Sequence, residues 1–227
     1  EYVTNLIGLV DSQKQSGVRV TVVRNDEHGN FSISELEKAI SSKTKLIAVT
    51  HISSSGGGIL PVAEIGDIAE KYNIMYLLDA CQSAGQLPLD VKRIKCDMLS
   101  ATGRKYLRAP RGTGFLFVKK ASLQKLKPVL LDFLAAGNVS LSGYTLREDA
   151  RRFELYEKSR ALTLGLGKAV EYAIDIGSDR IWSRIQYLSA LTRKILSEIS
   201  GVRLHDRGSF LSGIVTFSLD GIDSATV

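Results

Sequence analysis

Apolar and polar positions follow two rhythms along this chain, and the rhythms take turns. Residues 18–25 (VRVTVVRN) alternate with period two and are rich in β-branched side chains, which predicts a strand. Residues 45–53 (KLIAVTHIS) and 74–79 (IMYLLD) are short continuous apolar runs, the pattern of strands buried on both faces. Residues 97–102 (DMLSAT) and 113–120 (TGFLFVKK) add two more strands. Helical spacing lies between them. Ser32 or Ser34 caps a helix over ELEKAI, with Glu37 placed to close a capping box on Ser34. In 61–72, Pro61 sits near a helix start, and Val62, Ile65, Ile68 and Ala69 keep a helical stripe. Strands separated by helices imply βαβ units and a parallel sheet.

The second part of the chain changes character. Residues 157–199 are mostly helical in pattern, with 161–177 and 180–199 as the two clear helices, and 201–206 and 212–221 read as strands. Residues 132–153 form a long linker without clear periodicity, a kind of loop that often covers a site. The expected division is a large domain over 1–150 and the start of a small α+β domain over 151–227. The chain begins with Glu1 rather than Met, and 222–227 (IDSATV) reads as a helix just starting, so both ends read as cuts through a longer protein.

Composition narrows the classes. The 227 residues are 44% hydrophobic and 24% charged, the balance of a soluble globular protein. No apolar run is long enough to span a bilayer, and no basic segment opens a signal peptide. The net charge of +6 is spread through mixed-sign helical segments, without an aromatic-basic patch, which argues against nucleic acid as a partner. Cys81 and Cys96 form neither a disulfide framework nor a zinc motif; a reducing cytoplasm suits them, and no metal is expected.

In an open parallel sheet, ligands bind at the carboxyl ends of the strands. Three polar clusters lie there: His51 to Ser55, then Asp79 and Gln82, then Thr102, Arg104 and Lys105. An acid at one strand end and a lysine at another suit pyridoxal phosphate. The aldehyde needs an amine, the pyridine nitrogen needs a carboxylate, and the phosphate needs hydroxyls, N–H groups and an arginine. The triplet 56-GGG-58 lacks the Gly-Lys-Ser/Thr of a P-loop and reads as a flexible turn near the cofactor. A phosphate- or nucleotide-binding α/β protein without pyridoxal chemistry would use the same crevice, but neither GxGxxG nor a Walker motif is present. A third reading is a fragment that folds and holds no cofactor.

The stretch 76–118 resembles the core of class V aminotransferase-like pyridoxal-phosphate enzymes, the family of cysteine desulfurases and isopenicillin N epimerases. Three motifs carry the resemblance, in order: 79-DACQ-82, 97-DMLSATGRK-105 and 110-PRGTGFLFV-118. The segment 46–62 resembles the family's H-x-S-N region, and 1-EYVTN-5 resembles its helix start after the cofactor-stacking turn. The resemblance implies a fold type I large domain: a mostly parallel sheet with one antiparallel strand and helices on both faces. It implies a cytoplasmic homodimer acting on a small amino acid by lyase, epimerase or transaminase chemistry. Lys105 would form the Schiff base and shuttle protons. Asp79 would pair with the ring nitrogen and Gln82 with the ring oxygen. Thr102 and Arg104 would reach the phosphate, and Ser54 and His51 belong to the cofactor-binding set. Ser54 stands where the family has asparagine, Tyr2 and Val3 occupy the region of its ring-stacking histidine, and 152-RFELYE-157 lacks its Gly-Thr. Arg104 and the 107–114 loop look closer to the epimerase branch. The nucleophilic cysteine of a desulfurase and the substrate-carboxylate arginine would lie outside the chain.

Overall fold

A computed structural model describes residues 1–226. Its centre is a four-stranded sheet: β1 (Leu46–Thr50), β2 (Met75–Asp79), β3 (Met98–Thr102) and β4 (Gly114–Val118), in that order. β1, β2 and β3 run parallel, and β4 returns antiparallel to β3. The mostly parallel sheet with one antiparallel strand is therefore present as expected.

Alternation along the strands selects the core face. Ile47, Tyr76, Leu78, Leu99 and Ala101 are all buried. The helix α3 (Val62–Lys71) packs Val62, Ile65, Ile68 and Ala69 into the same cluster, using the stripe visible in the sequence. Tyr76 is fully buried and satisfies its hydroxyl by donating to the Val62 carbonyl at 3.2 Å. Gly66 is the close-approach point. A Cβ there would lie 1.9 Å from the carbonyl oxygen of Ile94, at the end of the short helix α4 (Val91–Ile94).

Three expectations are corrected. Residues 18–25 build no strand. A strand needs a neighbour, and among the described residues this segment makes only the bridge Asn25–Phe31, leaving Val18 and Val22 exposed. The capping box on Ser34 does not form. Ser32 caps α2 (Ile33–Ala39) by accepting the Glu35 N–H, while Glu37 turns outward to Lys71 and Tyr72. The linker 132–153 is not irregular throughout: it holds a hairpin, β5 (Ala136–Ser140) and β6 (Gly143–Leu146), whose side chains are almost all exposed. The first residues form α1 (Val3–Ser16), which buries none of its side chains.

Beyond residue 150, α5 (Arg160–Ile176) and α6 (Ser178–Ser197) precede a two-stranded ribbon, β7 (Val202–Leu204) and β8 (Phe217–Leu219), both shorter than the sequence suggests. At 222–226, Asp223 accepts the N–H groups of Ala225 and Thr226 in a single turn, and Val227 lies outside the described residues. A buried ion pair fastens this part to the sheet. Arg193 donates to Asp206 at 3.0 Å and to the carbonyls of Ser212 and Ile214; Asp206 in turn accepts the Gly57 N–H at 3.0 Å and the Thr216 hydroxyl. Gly57 is buried in this seam, and a Cβ there would meet the Ile214 carbonyl at 2.5 Å. Within the 56–58 triplet, Gly57 and Gly58 are thus packed contacts, while Gly56 meets open space.

Gly66→Ala tests the core geometry. The added methyl meets backbone and must push α3 from α4, so equilibrium denaturation is expected to show a loss of about 1–3 kcal/mol.

Candidate active site

The site is built by strand register. Thr50 at the end of β1 pairs with Asp79 at the end of β2, and Asp79 pairs with Ser100 in β3. Three strands of different sequence origin therefore end at nearly one level. The loops that leave them enclose a small cleft lined by Tyr2, Thr50, Ile52, Ser54, Asp79, Cys81, Gln82, Thr102, Arg104 and Lys105. Six of the seven residues singled out in the sequence come together there.

Asp79 is 8% exposed. One carboxylate oxygen accepts the Cys81 N–H at 2.8 Å, and the other accepts the Asn5 side-chain amide at 2.8 Å. Among the described residues no lysine or arginine forms an ion pair with it. A buried carboxylate held by neutral donors alone is well suited to a cationic group brought by a ligand.

Lys105 lies on a tight loop. Gly103 donates to the Thr113 carbonyl and Ala109 to the Gly103 carbonyl, while Arg108 closes a turn on the Lys105 carbonyl at 2.9 Å. Arg108 takes a left-handed conformation, φ 61°, which is uncommon for a residue with a Cβ. The turn bearing Gln82 is pressed against this loop: Gly85 has φ +82°, and a Cβ there would sit 2.7 Å from the Leu107 nitrogen. Behind it the fully buried Gln86 donates to the Gln82 carbonyl at 2.7 Å and accepts the Gly213 N–H. The Lys105 amine stands 5.7 Å from the centre of the Tyr2 ring. Lys105 and Gln82 also face a second, open cleft of ≈ 650 Å³, where Arg108, Arg180 and Arg184 line the wall beside Ile181 and Ile185.

His51 is the residue the structure keeps apart. It sits between Thr50 and Ile52, both of which line the cleft, and is not itself among the lining residues. It is 4% exposed, and its Nδ1 has no hydrogen-bond partner. Its backbone alone joins the site, donating to the Asp79 carbonyl and accepting from Leu60. Burial lowers its pKa to about 4. Cys81 does line the cleft, but burial and the neighbouring Asp79 push its thiol up to about 11, which leaves little nucleophilic thiolate at neutral pH.

Sequence reasoning missed Glu1, Asn5, Thr50 and Ile52. The last two were accessible from the polar strand ends. Glu1 and Asn5 share the i, i+4 spacing of a helix face, yet nothing in that spacing points across 74 residues to Asp79. Among the described residues, no helix is long and apolar enough to cross a membrane, and no group of His, Cys, Asp or Glu could hold a metal ion.

Comparison with known proteins bears on this geometry. The family described as Aminotransferase class-V matches residues 1–227. A probable cysteine desulfurase of Halalkalibacterium halodurans is 34% identical over the whole chain, which covers 56% of that relative. A probable cysteine desulfurase of Methanothermobacter thermautotrophicus is 33% identical over 92% of the chain, which covers 52% of it. The apo structure of a cysteine desulfurase from Thermococcus onnurineus superposes with a TM-score of 0.90 at 30% identity, over 98% of this chain and 56% of that one. The chain thus spans about half the length of the curated relatives it matches.

His51 carries the pH prediction. Its folded pKa lies below the unfolded value of ~6.5, so the unfolded chain takes up a proton first as pH falls. Stability should be unaffected above that value and decline between pH ~6.5 and about 4, by on the order of 3 kcal/mol. NMR titration of the His51 ring is expected to find it neutral down to about pH 5.

Proposed function

Because the chain belongs to the class V aminotransferase family, we propose that the whole protein is a pyridoxal-phosphate enzyme acting on a small amino acid, with Lys105 as the lysine that carries the cofactor. One observation carries this reading: Lys105 and the buried Asp79 carboxylate face one cleft at the carboxyl ends of a parallel sheet. The residues present suit this cofactor. Asp79 lacks a cationic partner of its own, and amide, hydroxyl and guanidinium groups from Gln82, Ser54, Thr102 and Arg104 surround the same space.

Bound there, pyridoxal phosphate would supply the electron sink for breaking a bond at the substrate's α-carbon. The chain's own groups do the rest. Asp79 holds a proton on the ring nitrogen, and the N–H of Cys81 and the amide of Asn5 fix the carboxylate for that task. Gln82 would support the ring oxygen, and Ser54 lines the same cleft. Thr102 and Arg104 receive the phosphate. The Lys105 amine would hold the cofactor through its aldehyde and would carry the proton at the substrate's α-carbon. His51 belongs to this set through its backbone, which braces the end of β2.

The relatives are named cysteine desulfurases, which favours sulfur removal from cysteine over the epimerase and transaminase alternatives. Residues 1–150 form the cofactor domain in this reading, and 151–227 begin the smaller domain. Two free cysteines suit a reducing cytoplasm. A homodimer is part of the proposal: Val139 at 75%, the fully exposed Leu141 and Phe133 at 70% present an apolar surface suited to a second copy.

Two measurements test the reading. Addition of pyridoxal phosphate to the whole protein should produce a visible band that borohydride abolishes and Lys105→Ala never develops; equal binding by both proteins would refute the site. With the cofactor loaded, an amino-acid panel read for alanine, pyruvate and inverted product assigns the reaction. Leu141→Asp should convert a dimer to a monomer in analytical ultracentrifugation, and an unchanged mass would remove the hairpin from the interface.

A further inference from the structure

The Asp79 carboxylate belongs to a longer chain of groups. The Asn5 side-chain nitrogen lies 2.8 Å from Asp79 Oδ2 and 2.8 Å from Glu1 Oε1. The Glu1 oxygen also accepts from the Thr50 hydroxyl and, at 3.1 Å, from the Tyr2 N–H. Thr50 is the β1 residue paired with Asp79, so the chain closes on itself across the strand ends. Chemistry decides how Asn5 points. Two carboxylates can be bridged only by two donors, and the NH₂ of an amide supplies both; the amide oxygen could face neither.

One amide thus joins the buried Asp79 carboxylate to the exposed carboxylate of Glu1. The burial of Asp79 leaves the repulsion between them less screened than between two charges in bulk water. A cation beside Asp79 relieves it, and a neutral group does not. Asn5 also removes the freedom of the carboxylate to rotate, since each oxygen already accepts one fixed donor.

Resting on the function proposed above, we infer that Asn5, anchored by Glu1, is a positioning residue: it orients the Asp79 carboxylate and lends it the pull of a second carboxylate on the proton of the cofactor's ring nitrogen. Asn5 acts through Asp79 and makes no contact with substrate.

The test uses the whole protein loaded with ring-¹⁵N-labelled pyridoxal phosphate. Asn5→Leu removes both donors at similar volume, and Asn5→Ser is a gentler variant whose hydroxyl falls short of Asp79. The parent should show a protonated ring nitrogen at neutral pH. Both variants should show a fraction of unprotonated nitrogen in the ¹⁵N spectrum and a cofactor dissociation constant raised roughly tenfold, the loss expected for a hydrogen bond to a charged group. A purely structural role would weaken affinity and leave the nitrogen signal where it is, and that result overturns the inference. So does a nitrogen signal and affinity unchanged in Asn5→Ser when its circular dichroism matches the parent. The two readings fail separately. A parent without cofactor on Lys105 refutes the function itself, whereas a loaded parent matched by both variants refutes only the role of Asn5.

Discussion

The parallel, in-register pairing of β1, β2 and β3 is the constraint on which this structure depends. It brings Thr50, Asp79 and the end of β3 to one edge although they are separated by dozens of residues. The sheet pays nothing for polarity at that edge, because the backbone ladder continues through His51 and Ala80, whose N–H groups donate to Asp79 and Ser100. β4 then turns back antiparallel. The loop before it carries Lys105 and is held by Gly103, Thr113 and the Gly85 contact.

Charge placement follows from that frame. Asp79 is buried and meets only neutral donors, while Arg104, Arg108, Arg180 and Arg184 stand exposed around Lys105. A ligand with a cationic ring at one end and anionic groups at the other complements both halves. The two groups that look reactive in isolation are the wrong ones. His51 is turned into the protein and kept neutral by burial, and the Cys81 thiol is raised by burial and by Asp79. The chemistry is left to Lys105, half-buried at the mouth of the cleft.

Much of this was legible in the residues. β1 to β4 and α3 each carry their own pattern of burial, so local periodicity found them. Asp79, Gln82, Thr102 and Lys105 lie at strand ends, where topology puts a ligand. What failed was non-local. Residues 18–25 have a strand's alternation, but pairing belongs to two segments, and here no second one is present among the described residues. The hairpin β5–β6 is exposed on nearly every position, so it leaves no alternation to read. His51 fell on the far side through the same period-two alternation that brought Thr50 and Ile52 inward. Asn5 reaches Asp79 only because α1 starts beside the end of β2, a contact that no local pattern records.

The central claim is that Lys105 is the residue that takes the cofactor. Borohydride reduction of the cofactor-loaded whole protein, followed by peptide mapping in a mass spectrometer, tests it most directly. The account predicts the phosphopyridoxyl mass on the peptide that contains Lys105 and on no other lysine. The same mass on a different lysine, with the Lys105 peptide unmodified, would contradict it.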